Sequence, residues 1–73
     1  GLGYDFIEEV EKAINNIQNS PERWLFVDET IQKYNLHRFP FSIYYEYLYK
    51  ENQIIIVSIA HHKRFPGYWK KRN

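Results

Sequence analysis

The 73-residue chain contains no cysteine, so no disulfide framework can staple it, and its composition fits a reducing cytoplasm. No stretch approaches the roughly 20 apolar residues that span a bilayer, and no charged, apolar and small-residue succession marks a signal peptide. A cytoplasmic protein with no membrane partner is expected. Phosphate-cradling glycine loops, a nucleophile elbow and an HExxH pair are all missing, which leaves the commoner enzyme chemistries without support. Three histidines with neither cysteine nor a spaced carboxylate cluster point to no metal, and nothing points to a cofactor. Internal repeats, low-complexity runs and dividing linkers are lacking too, so residues 1–73 read as a single domain. A domain this small buries only about 60% of the surface its unfolded chain exposes. Its stability margin is thin, and a partner chain is one of the few remaining ways to widen it.

Aromatic residues, by contrast, are abundant: they make up 19% of the chain, seven of them tyrosines, which argues for a folded, sheet-containing domain and against disorder. The overall charge of +1 conceals an asymmetry. Residues 1–30 hold seven acids and two bases, a net −5, whereas residues 31–73 hold two acids and eight bases, a net +6. The second half is therefore the one suited to phosphate.

From Tyr4 to Asn19, Phe6, Val10, Ala13, Ile14 and Ile17 recur at helical spacing, with Glu8, Glu9, Glu11 and Lys12 on the other face. This predicts an amphipathic helix over about Asp5 to Ile17 that lays its stripe on a sheet. Residues 21–31 show no clean period and read as an irregular connection whose Trp24 and Phe26 plug the core margin. Gln32 to Phe39 reads as a short strand ending at Pro40. Phe41 to Lys50 reads as a strong strand with Phe41, Ile43, Tyr45, Tyr47 and Tyr49 on one face. Glu51 and Asn52 form a tight turn into Ile54–His61, whose continuous apolar run suits a strand covered on both sides. Residues 62–73 are basic and aromatic, with no acid. The predicted architecture is α+β: an N-terminal amphipathic helix packed on a three-stranded antiparallel β-meander, followed by a basic C-terminal tail.

The second half thus collects cations, histidines and tyrosines, a kit able to handle RNA without metal. Cleavage through the RNA's own 2′-hydroxyl needs a base near neutral pKa, a cation for the phosphorane charge and an acid for the leaving oxygen. His61 and His62 fall on opposite faces of a strand, so at most one can join a given site; a structural hydrogen bond is the expectation for His61, and exposure for His62. Arg38 either clamps phosphate or pairs with Glu46 across the hairpin. Tyr44, Tyr45, Tyr47 and Tyr49 could offer a stacking platform, but alternating strand aromatics more often pack.

Two strings carry a family resemblance: Arg38-Phe39-Pro40-Phe41-Ser42-Ile43-Tyr44-Tyr45, and His61-His62-Lys63-Arg64-Phe65-Pro66-Gly67-Tyr68-Trp69-Lys70-Lys71-Arg72. In order and spacing they resemble toxins of the RelE/ParE superfamily, the toxic halves of type II toxin-antitoxin pairs, also known as plasmid stabilisation proteins. Gly1-Leu2-Gly3-Tyr4-Asp5-Phe6 is similar to the loop that leads such toxins into their second helix. The resemblance covers essentially the whole chain and implies a domain that is N-terminally incomplete, short of a first strand and first helix. It further implies a cognate antitoxin as partner, and growth inhibition either by ribosome-dependent mRNA cleavage or by poisoning of DNA gyrase.

Carried over residue by residue, the site would comprise Arg38, Lys63, Arg64 and Tyr68, with His61 as a further candidate. The arginine that the nuclease branch carries two positions before the strand tyrosine is matched here by Ser42, whose neutral hydroxyl cannot replace a fixed charge. Catalysis by this chain is therefore left open, and the alternative is a non-catalytic interaction module, a degenerate toxin that binds an antitoxin or another protein. Apolar surface left bare by the absent elements is expected to be covered by an antitoxin segment or by a second copy in a homodimer.

Overall fold

The computed structural model describes residues 2–63. An α-helix, α1 (Leu2–Asn19), precedes four strands: β1 (Leu25–Phe26), β2 (Ile31–Asn35), β3 (Phe41–Leu48) and β4 (Gln53–His61). They form one antiparallel sheet in the order β1-β2-β3-β4. The α+β class and the meander agree with the sequence, which missed β1. That strand is only two residues long, pairing Leu25 with Lys33 and Phe26 with Gln32, and so carries no periodic signal.

The helix forms where its apolar stripe predicts but begins earlier, at Leu2, so residues 2–4, similar in sequence to a loop, are helical here. Ala13 and Ile17 are buried, and Phe6, Val10 and Ile14 pack against the same cluster as Tyr34, Leu36, Ile43 and Tyr45. Beyond Asn19 the Ser20 N–H still donates to the Asn16 carbonyl, and Pro21 follows. Proline cannot continue the ladder and biases the residue before it away from helix. The stripe lies mainly on β2 and β3, with Ile54 the β4 residue packed against this cluster.

Alternation along β3 sends Phe41, Ile43, Tyr45 and Tyr47 toward the helix, whereas Tyr44 joins Ile31 and Ala60 in a second cluster on the opposite face. Tyr49 falls past the strand end and is exposed. The buried Tyr45 hydroxyl donates to the Pro21 carbonyl at 2.7 Å, and burial pushes its pKa up to about 12. Packing, not base stacking, is thus the role of Tyr44 and Tyr45.

Among the described residues β4 is one edge of the sheet, opposite the short β1. Ile55, Ile56, Val57 and Ile59 are 37–46% exposed, which corrects the reading of this run as covered on both sides. Continuous apolar sequence is compatible with a doubly buried strand, but the helix reaches only as far as β3 and the near end of β4. A register shift between Tyr44 and Tyr45 leaves Val57 as an extra residue between the Tyr44–Ser58 and Tyr45–Ile56 pairs. The hairpin turns through residues 49–52, where Asn52 adopts φ 52°, the left-handed conformation that asparagine tolerates better than most side chains.

Candidate functional site

The candidate residues within the described region meet at one end of the sheet. Phe41 opens β3 and pairs with His61, which closes β4. The His62 N–H donates to the Pro40 carbonyl at 2.8 Å, so the residues leaving β4 run beside the β2–β3 loop, residues 36–40. In that loop the Phe41 N–H donates back to the Phe39 carbonyl at 2.8 Å, a three-residue turn centred on Pro40, whose fixed φ suits it. The Leu36 N–H donates to the Phe41 carbonyl and closes the hairpin.

A carboxylate from the helix holds the loop. Glu9, nearly buried, accepts the His37 N–H at 2.9 Å and the Arg38 N–H at 3.3 Å through one oxygen. The His37 amide is the chief reason the Glu9 carboxyl titrates below its ordinary value. Desolvation opposes the shift, and the Arg38 amide and the charges of Arg38 and His37 add to it. The helical spacing sets Glu9 on the face opposite the apolar stripe, whereas the structure has it nearly buried. The missed signal was its spacing, one residue before Val10 and three after Phe6, which puts it on the margin of the apolar stripe.

Edge-on aromatic contacts lash the same end together. Phe6 meets Phe39 at 5.2 Å and Phe41 at 5.3 Å between ring centroids, and Phe41 meets His61 at 5.1 Å. The helix, the loop, β3 and the end of β4 are thereby joined through four rings, in an arrangement that aromatic quadrupoles favour. His61 Nδ1 accepts the Lys63 N–H at 3.0 Å, which fits the structural role expected of it and places the imidazole proton, when the ring is neutral, on Nε2. His62 is exposed, as expected.

Arg38 does not pair with Glu46 across the hairpin. Its guanidinium lies 3.6 Å from the Asp5 carboxylate, with the side chains 63% and 42% exposed, and 5.9 Å from the Phe39 ring centroid. An ion pair so open to water contributes at most about 1 kcal/mol, and it leaves the guanidinium accessible to an anion. Arg38 also sits in the loop and not on a strand, so it does not share a strand face with Ser42. Ser42 is fully buried, and its hydroxyl donates to Asn35 Oδ1 at 2.6 Å. That side chain is bonded within the sheet, on the face opposite that of Phe41 and His61.

Arg38, His61 and Lys63 are therefore brought to one end, while Arg64 and Tyr68 lie outside the described residues. The end carries His37 and His62 as well, so its ionisable groups are mostly cationic or able to become so, with Asp5 and Glu9 beneath them. Such a surface can attract an anion and offer it guanidinium, ammonium and imidazole donors.

Neither a family model, nor a curated protein, nor a solved structure matches the chain. Among the described residues no group of histidines and carboxylates could hold a metal ion, and no helix is long and apolar enough to cross a membrane.

Proposed function

We propose that the chain is toxin domain material of the RelE/ParE type, with the basic end of its sheet as the surface that meets the target, and with a cognate antitoxin as its neutralising partner. The observation that supports this reading is the His62 N–H to Pro40 carbonyl bond. It ties together the two sequence strings on which the resemblance rests and brings Arg38 near Lys63. In the RNA version, Arg38 and Lys63 neutralise phosphate, and the segment after Lys63, which includes Arg64 and Tyr68, completes the site. In the gyrase version the same cations serve recognition alone.

A specific observation favours the non-catalytic version. Ser42, at the position where the nuclease branch carries arginine, is buried and hydrogen-bonded within the sheet. No fixed charge stands there to meet a phosphorane, and loss of one well-placed donor typically costs about 10²–10³ in rate. Weak or absent cutting is the expectation, with binding to antitoxin, ribosome or gyrase retained.

The test expresses the chain in bacteria with and without the product of the neighbouring gene, then measures ribosome-dependent mRNA cutting and gyrase supercoiling side by side. Growth arrest relieved by the neighbour supports the toxin reading; unimpaired growth with abundant soluble protein leaves a binding module. Cutting that persists undiminished in Arg38→Ala, Lys63→Ala and Tyr68→Phe would remove the site assignment. Blocked supercoiling without cutting assigns the gyrase branch.

A further inference from the structure

We propose that the groove at the acidic end of the sheet docks a basic peptide segment of another protein, one that carries an apolar anchor residue between lysines or arginines. The inference goes beyond the toxin reading and does not depend on it.

The groove lies beside β1 and the turn of the β3–β4 hairpin and holds about 350 Å³. Its apolar lining is Phe26, Leu48, Tyr47 and Tyr49. Phe26 and Tyr49 are 52% and 69% exposed, so the groove stands open over these two rings. Tyr49 is the one of the four neighbouring tyrosines, 44, 45, 47 and 49, that packing does not absorb.

Around the apolar lining stand four carboxylates, from Glu22, Glu29, Glu46 and Glu51, against one ammonium, from Lys50, a net charge of −3. Among the described residues these glutamates form no ion pair, and the pair that does form, Arg38 with Asp5, lies at the other end of the sheet. Glu46, the partner that the sequence offered to Arg38, lines this groove instead.

The occupant follows from meeting both demands at once. A hydrated inorganic cation would leave the rings in water, and a purely apolar segment would take carboxylates out of water with no counter-charge, which is unfavourable. A short run with an aromatic or large aliphatic residue between lysines or arginines satisfies both. Its anchor covers Phe26 and Leu48, while its cations meet the carboxylates and the faces of the tyrosine rings. The same charge pattern steers a basic segment toward the groove and rejects an acidic one. Ligand sites commonly span roughly 300–1,000 Å³, and a groove at the small end of that range takes one anchor and its immediate neighbours.

The experiment titrates the whole 73-residue chain into the fluorescein-labelled peptide Lys-Arg-Trp-Lys-Lys and follows fluorescence anisotropy. The expected result is saturable binding at micromolar concentrations that weakens as salt rises, because exposed charges are screened. The double variant Glu22→Gln, Glu51→Gln should weaken it by about five- to tenfold, and Phe26→Ala by about tenfold. Glu8→Gln makes the same kind of charge change on the helix, outside the groove, and should leave affinity unchanged. Both glutamates of the double variant are exposed, so that variant should fold as the parent does, which circular dichroism checks. Absence of binding would overturn the proposal, as would equal loss in Glu8→Gln or indifference to the groove variants. Two further probes test the anchor: Lys-Arg-Gly-Lys-Lys and spermidine should both bind at least tenfold more weakly than the tryptophan peptide. Equal binding by the glycine peptide would reduce the groove to a general attraction for positive charge, and equal binding by spermidine would make it a site for small amines; either result overturns the proposal.

Discussion

The two ends of the sheet are fastened to the helix by opposite chemistry. At the basic end the fastening is a carboxylate: Glu9 accepts the amides of His37 and Arg38. At the other end it is a neutral carbonyl. Pro21, just past the helix, accepts both the Tyr45 hydroxyl and Gln32 Nε2, each at 2.7 Å, and Gln32 also donates to the Trp24 carbonyl at 3.1 Å. The charge on view inverts this. Cations dress the carboxylate-held end, whereas the carbonyl-held end opens into a groove rimmed by Glu22, Glu29, Glu46 and Glu51 over Phe26 and Leu48. Asp5 and Glu9 beneath the cations partly neutralise them; the acids of the groove have Lys50 as the basic residue among them. The anion-attracting end is accordingly the one whose support responds to acid, and the neutral fastening is the one whose support does not.

The largest expected contrast lies within the basic end itself. Ser42→Arg, the substitution that would mimic the nuclease pattern, pushes an unpaired charge into a fully buried position and should destabilise the fold by about 3–5 kcal/mol. Arg38→Ala, whose ion pair is exposed, should change stability by no more than about 1 kcal/mol. Chemical denaturation of the two variants checks this. Equal destabilisation would mean that Arg38 is as deeply tied into the structure as Ser42.

At the other end, Gln32→Leu leaves the Trp24 carbonyl without that donor and should cost about 1–3 kcal/mol. Tyr45→Phe, which leaves Pro21 still bonded to Gln32, should cost about 1 kcal/mol. Reversal of that order would show that the hydroxyl and not the amide is the principal fastening.

Titration separates the ends more finely. Glu9 has a folded-state pKa below its ordinary value, so its contribution is present above that ordinary value, 4.5, and is lost as pH falls through the lowered one. Acid should loosen the basic end first, with the amides of His37 and Arg38 exchanging faster before those of β3, and Glu9→Gln should flatten this dependence. Tyr45 has a raised pKa. Its contribution is complete below the ordinary 10 and is lost as pH rises through about 12, so alkali should act through the carbonyl-held end. Simultaneous loosening of both ends in acid would break the distinction.

The smallest effect concerns anions. If the basic end meets phosphate, Arg38→Ala and Lys63→Ala should each lower the salt slope of RNA binding by about 1, with little change in sequence preference. Glu51→Gln, at the far end, should leave the slope where it was. A slope indifferent to Arg38 and Lys63 would move phosphate contact elsewhere.

Much of this was legible in sequence, for reasons that differ from element to element. The stripe from Phe6 to Ile17 and the alternation from Phe41 to Tyr47 declare themselves because each is long relative to its period, and both elements form where those patterns lie. β1 escapes because two residues cannot show a period. β4 was assigned correctly as a strand but wrongly as doubly covered, since an apolar run states that a strand is hydrophobic and not how far the helix extends across the sheet. At the candidate site, the order of Arg38, His61 and Lys63 was readable, but their supports were not. Glu9 holds main-chain amides, which have no sequence signature, and the burial of Ser42 and its bond to Asn35 could not be read from the sequence, which showed only that a neutral hydroxyl stands there.

The Glu9 contact carries one more implication. A carboxylate that grips main-chain amides is indifferent to which side chains those residues bear, since any residue except proline supplies the same N–H. Positions 37 and 38 are therefore exchangeable: the loop can present arginine and histidine, or lysine, glutamine or an aromatic ring, without being rebuilt. Variation there would retune what the surface recognises while the scaffold stays put, and a library randomised at both positions should fold almost throughout, with proline the expected casualty.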